Sequence, residues 1–148
     1  DVHIKDKNVI SKSFNDIDDE LPSGNTLRIR FATPMAFKSD SRYICMPELD
    51  LIYQSLINKY NAVCKVESSD ASRLIEALSS ATNILKYDIH SEKFPLERQR
   101  ISGCVGEMII SINADEELTK LAKYLLYFGE FSGIGIKCSM GMGAIRII

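Results

Sequence analysis

The densest chemistry in the chain lies near its C-terminus, in Gly133-Ile-Gly135-Ile-Lys137-Cys138-Ser139-Met140-Gly141-Met142-Gly143. Glycines free the backbone for positive φ and let N–H groups close on an anion, and here Lys137 adds a cation and Ser139 a hydroxyl. The segment reads either as an anion cradle or as a pure turn device. It is not a familiar nucleotide loop: no Gly-Lys-Ser/Thr opens a helix, and no G-x-G-x-x-G follows a strand. Smaller basic groups are Arg28 with Arg30, and Lys93 with Arg98 and Arg100, the latter diluted by Glu92 and Glu97.

Two imidazoles are available as general bases, His3 and His90. His3 precedes the recognisable domain and reads as a terminal residue without a role. His90 falls at a strand end on the polar face and is the better placed of the two, although an ordinary surface histidine explains it as well. Neither lies in a nucleophile motif, so Cys104 and Cys138 read as small packing residues. The four cysteines, at 45, 64, 104 and 138, form no C-x-x-C pair, which argues against a zinc ribbon or a thioredoxin-like site. The acids Asp16, Asp18, Asp19 and Glu20 lack the Gly and terminal Glu spacing of a calcium loop. No metal and no cofactor is expected.

These residues need elements to position them. Thr26 to Phe31 alternates strictly, which predicts a strand with Leu27, Ile29 and Phe31 on one face and Arg28 and Arg30 on the other. Residues 47–64 carry Leu49, Ile52, Tyr53, Leu56, Tyr60 and Val63 at helical spacing, with Pro47 suited to the first turn. A shorter helix is predicted over 70–81, capped by Asp70. Ile84 to His90 alternates as a strand, residues 91–100 read as a long polar connection, and residues 101–112 as a strand. Asn113 with Glu116 forms a capping box for a helix whose buried stripe is Leu118, Leu121, Ala122, Leu125 and Gly129. A last strand covers 144–148. The order is β-α-β-β-α-β with an extra short helix: an α+β, ferredoxin-like (RRM-like) split fold, helices on one face of an antiparallel sheet. Its first and third strands are central, which puts Arg28 and Arg30 mid-sheet on the open face, where Lys86 and His90 can join them. Stacking aromatics are not expected there, since Phe31 points inward and Tyr53, Tyr60, Tyr124, Tyr127 and Phe128 fall on helices. Gly103-Cys-Val-Gly106 matches a KH-type GXXG clamp in letters only, because it lies within a strand.

Several of these stretches together carry a family likeness. Tyr124 to Ile148, with Phe128-Gly-Glu-Phe-Ser132 leading into the glycine segment, resembles the C-terminal signature of the CRISPR-associated repeat-RNA-processing endoribonucleases of the RAMP superfamily. Phe31-Ala-Thr-Pro-Met-Ala-Phe37, Pro47-Glu-Leu49 through Leu56 with Tyr60-Asn-Ala62, and Ile101-Ser-Gly-Cys-Val-Gly-Glu107 resemble its other segments, in order. The likeness spans residues 26–148. It implies two tandem ferredoxin-like domains that bind CRISPR repeat RNA and cut it without metal, the 2′-OH attacking the adjacent phosphate to leave a 2′,3′-cyclic end. The catalytic His would lie in an N-terminal ferredoxin-like domain outside this chain, so no catalytic residue is assigned here and His90 stays a reserve candidate. RNA contacts are expected from Gly133, Gly135, Lys137, Ser139, Gly141 and Gly143, and from Arg28, Arg30, Lys93, Arg98 and Arg100. Arg28 and Arg30 can instead pair with acids of the other domain. The alternative is a non-catalytic RAMP subunit holding guide RNA in an effector complex, and a third class is a ferredoxin-like ligand-binding or oligomerisation domain. Expected partners are repeat RNA, the chain's own N-terminal domain, and a second copy or effector proteins.

Charge fits this division. The 148 residues, 45% hydrophobic and 26% charged, suit one domain. Eighteen Lys+Arg against twenty Asp+Glu give a net charge of -2, which excludes a chain-wide basic field. Residues 1–25 hold six acids and three bases, so this acidic linker or N-terminal extension, read as a loop from Asn15 to Asn25, accounts for the deficit and leaves 26–148 near neutral. No apolar run approaches the roughly 18 residues of a membrane span, residues 1–20 are too polar for a signal peptide, and a reduced cytoplasmic setting is expected. A start at Asp1 rather than Met points to a piece of something longer.

Overall fold

Alternation in the first strand sets the sheet. In the computed structural model, which describes residues 13–65 and 69–148, β1 (Thr26–Met35) buries Leu27, Ile29 and Phe31 and exposes Arg28 and Arg30. It pairs antiparallel with β5 (Gln99–Ile112) on one side and β6 (Ile145–Ile147) on the other, while β4 (Thr82–Leu96) flanks β5 as one of the two edge strands. The order β4-β5-β1-β6 places β1 and β5 centrally, the ferredoxin-like topology. Helices α2 (Leu49–Cys64) and α4 (Glu116–Ser132) cover one face. Their Ile52, Tyr53, Leu56, Ala122, Leu125 and Leu126 pack on Leu27, Ile29, Phe31, Met108, Ile110 and Ile112 to form the main core. Helix α3 (Ala71–Ala81) packs beside α2 through Leu74, Ile75 and Leu78.

Four local expectations are corrected. The acidic stretch read as a loop is a short helix, α1 (Phe14–Glu20), because Ser13 and Asp16 form a reciprocal capping box. Its Ile17 is buried, Tyr127 donates to Glu20, and Lys123 donates to the Pro22 carbonyl at 3.0 Å. Residues 91–100 are not a long connection. Strands β4 and β5 continue to Leu96 and Gln99 around a two-residue turn at Glu97-Arg98, and Pro95 is tolerated since it sits on an edge strand. Phe94, Leu96 and Ile101 then pack with Ala36, Ile136 and Met142 in a second small core. The cap of α4 is Asp115, whose carboxylate accepts from Leu118 N–H at 2.8 Å, not Asn113, whose N–H is bonded to the Ala81 carbonyl. Finally, α2 starts at Leu49, leaving Pro47 before the helix, and Val63 is exposed rather than buried.

One element has no counterpart in the sequence reading. After β1, strands β2 (Phe37–Ser39) and β3 (Arg42–Ile44) form a hairpin whose turn residues Asp40 and Ser41 both have positive φ, 47° and 64°. This is the primed-turn geometry that hairpins favour, written with Asp-Ser in place of the usual Gly-bearing pair.

Candidate nucleic-acid interface

Helix α4 ends at Gly133 (φ 68°), whose N–H closes on the Gly129 carbonyl. The chain then folds back over the end of β1: Ile136 N–H donates to the Ala36 carbonyl at 2.9 Å, Gly143 N–H to Pro34 at 3.0 Å, and Ala144 N–H to Thr33 Oγ1 at 2.9 Å. Two polar side chains of α2, one helical turn apart, tie the loop from the other side. Ser55 Oγ accepts from Gly135 N–H at 2.8 Å, and Lys59 Nζ donates to the Gly133 carbonyl at 3.0 Å and lies 2.8 Å from Cys138 Sγ.

Two of the glycines, Gly135 and Gly143, are required by close contact with protein backbone. A Cβ on Gly135 would lie 2.1 Å from the Ala36 carbonyl oxygen, and one on Gly143 would lie 2.0 Å from that of Ile134. Hydrogen bonds within the protein use the N–H groups of residues 133–136 and 140–144, leaving only 137–139 outside that network. At this apex Lys137 adopts a left-handed conformation (φ 55°) and leads into a single 3-10 turn, Cys138–Met140. Lys137, Ser139 and Gly141 are exposed, whereas Gly133 and Gly143 are buried. The exposed part of the loop whose amides the protein itself does not use is therefore Lys137 to Ser139.

On the open sheet face, Arg28 and Arg30 are held by Glu107 of the neighbouring strand. Arg30 Nε and Nη2 bond Glu107 Oε1 at 2.9 and 2.7 Å, and Arg28 Nη1 is 3.7 Å from Oε2. Register adds Arg146 beside Arg30, and Lys86 and Asp88 line the same recess of about 150 Å³ with Arg28, Glu107 and Ile109. The face carries more cations than carboxylates, but two of its guanidiniums are already partnered. Glu107 and Arg146 were legible only through strand register, which no local pattern supplies.

Hairpin cations lie elsewhere. Lys93 pairs Ser102 and Arg100 pairs Pro95, so both project from the side opposite Phe94 and Ile101, which meet the glycine loop. Arg98 is in the turn. The structure thus brings hairpin and loop into contact while keeping Arg28 and Arg30 apart from them on the sheet. His90 is exposed opposite Val105, with no hydrogen bond or ion pair among the described residues; His3 lies outside them. Gly103 and Gly106 are strand residues of β5, packed on backbone of Met35 and Asp88. Burial pushes the Cys104 thiol up to about 11, as does neighbouring Cys45, so it is an inert packing residue at neutral pH. Among the described residues no group of three His, Cys, Asp or Glu could hold a metal ion, and no helix is long and apolar enough to cross a membrane.

Comparison with known proteins decides the family. A sequence model described as CRISPR-associated endoribonuclease Cas6 matches residues 29–145. This chain belongs to the Cas6 family. It is 36% identical over 126 residues to a CRISPR-associated endoribonuclease Cas6 of Mycobacterium tuberculosis H37Rv, covering 85% of this chain and 40% of that protein. Against Cas6 of Streptococcus thermophilus the identity is 35% over 119 residues, 80% of this chain and 49% of the relative. A solved Cas6 product complex superposes with TM-score 0.78 at 25% identity over 93% of this chain and 56% of that one. Thermus thermophilus Cas6 superposes with TM-score 0.77 at 22% identity, 93% and 58%, a likeness of fold. The chain thus spans less than half the length of the Mycobacterium and Streptococcus relatives, and the glycine loop, both central strands and both covering helices fall almost entirely within the matched region.

Proposed function

We propose that this chain is the C-terminal, RNA-binding half of a Cas6-type endoribonuclease that cuts CRISPR repeat RNA. The family match over residues 29–145 carries this reading, and the exposed Lys137–Ser139 apex supports it, since a cation, a hydroxyl and three amides suit a phosphodiester. Lys93 and Arg100 project from the other side of the adjoining hairpin and Arg98 from its turn, so they offer a second basic contact for a repeat stem, separate from the apex. We assign catalysis to a preceding ferredoxin-like domain, as the family resemblance implies; His90, the one imidazole among the described residues, makes no hydrogen bond or ion pair there. The reaction is attack of the ribose 2′-OH on the adjacent phosphate, which needs a base and an anion stabiliser and no metal.

The whole protein is expected to cleave its repeat RNA in excess EDTA, leaving a 2′,3′-cyclic phosphate and a 5′-OH. Loss of cleavage in EDTA that returns with magnesium would rule out this chemistry, and tight repeat binding without any cleavage would favour a guide-holding subunit.

A further inference from the structure

The hairpin β2–β3, absent from the sequence reading, creates a second feature beside the glycine loop. Phe37 and Lys38 of β2, Leu51, Gln54, Ser55 and Asn58 of α2, and Gly135 and Ile136 of the loop enclose a recess of about 270 Å³. Its floor is apolar, from Phe37, Leu51 and Ile136. Its rim is polar: Gln54 and Asn58 are one helical turn apart on a single face of α2, next to the Ser55 and Lys59 pair that anchors the loop. Both amides are exposed and have no hydrogen-bond partner among the described residues. Lys38 supplies a cation, and its Nζ lies 6.0 Å from the ring of Tyr43, which is directly opposite in register and 46% exposed.

Charge separates this recess from the others described. The one over Arg28 contains Asp88 and Glu107, the one beside α4 contains Glu116, and the groove between α2 and α3 contains Asp50 and Glu76. The recess at Lys38 has no carboxylate. A phosphate entering this recess therefore meets a cation without an opposing acid. Two unpartnered amides each offer an adjacent donor and acceptor, the pattern that pairs with the amino and ring-nitrogen edge of adenine. An exposed tyrosine beside a lysine adds a stacking surface of the kind that holds unpaired bases. The volume is ample for a single base.

We propose that this recess binds a single unpaired adenine nucleotide of the RNA, with Gln54 and Asn58 reading the base edge, Lys38 holding its phosphate and Tyr43 stacking. The assignment rests on the RNA-binding reading above. The test uses the whole protein and a panel of repeat RNAs in which each unpaired adenine is replaced in turn, with affinity measured at several salt concentrations. Wild type is expected to lose about tenfold in affinity at one position. Gln54→Ala with Asn58→Ala should abolish that discrimination while binding the substituted RNA as wild type does. Lys38→Ala should weaken binding to every RNA by one common factor and lower the salt slope by about one. If the double variant discriminates as wild type does at every position, the recess is not a base site, although the RNA reading stands. If wild type binds repeat RNA no better than unrelated RNA, both fall together. Melting temperatures of the variants, on exposed positions, should stay at the wild-type value.

Discussion

At the scale of single residues, the Tyr53 hydroxyl sits in a buried hydrogen-bond chain. Thr82 Oγ1 donates to the Leu78 carbonyl at 2.8 Å, so Tyr53 is the donor in its 2.7 Å bond to Thr82, joining α2 to the junction of α3 and β4. Burial pushes the phenol up to about 12. In the unfolded chain it ionises near 10, so between pH 10 and 12 the unfolded state loses a proton that the native state keeps, and stability falls as pH rises. The loss attributable to this group is about 2 kcal/mol at pH 12. Tyr53→Phe should cost about 1 kcal/mol at neutral pH, and denaturant titrations should show the two proteins converging and then crossing within that alkaline window, the variant becoming the more stable. Parallel curves would mean that another group is responsible. A second residue-scale prediction concerns Glu107. Side chains of Arg28, Arg30 and Glu107 are 50%, 54% and 33% exposed, so their ion pairs contribute less than about 1 kcal/mol to stability. If the open face meets RNA, Glu107→Gln should tighten binding and steepen its salt dependence by up to about two, as two guanidiniums become available. Unchanged binding would place Arg28 and Arg30 outside the interface.

The glycine loop shows what an element adds to its residues. Four glycines among eleven residues were readable as conformational freedom, but whether that freedom served an anion or the protein's own backbone was open. Gly135 (φ +85°) and Gly143 (φ +70°) resolve it, since each faces a carbonyl oxygen too close for any side chain. Gly135→Ala should destabilise the protein by about 2–3 kcal/mol through strain and loop displacement. Gly24→Ala is the control: its φ of +86° is equally left-handed, yet nothing lies within 4 Å, so only the backbone cost of about 1 kcal/mol applies. Equal losses in thermal melts would show that φ, rather than the contact with Ala36, governs both. Elsewhere the strands and helices with strong local periods, β1, α2 and α4, were legible because the period is fixed by backbone geometry. The hairpin β2–β3 was not, as three-residue strands carry too little pattern and Asp40-Ser41 is a weak turn signal. The extension of β4 and β5 through 91–100 was hidden by polar residues that an exposed edge strand tolerates.

For the molecule as a whole, one sheet face is covered by helices and the other is open and charged, with the loop and hairpin at one end. If the chain is one half of an RNA-binding protein, as proposed, it should grip RNA through few phosphates. Residues 1–148 alone are expected to bind repeat RNA weakly, with affinity falling steeply between low and moderate salt, and to cleave none of it. Cleavage by the isolated chain in a gel assay would return catalysis to this half and make His90→Ala the next variant to examine. The sequence by itself determined the element order, the inward face of β1, the glycine segment and the family likeness, because each is written in residues close together along the chain. Tertiary structure alone decided that Glu107 holds Arg30 across 77 residues, that the glycine amides turn inward, and that Lys38, Gln54 and Asn58 share one recess. Those facts depend on strand register and on loop closure between distant segments, and no local period encodes either.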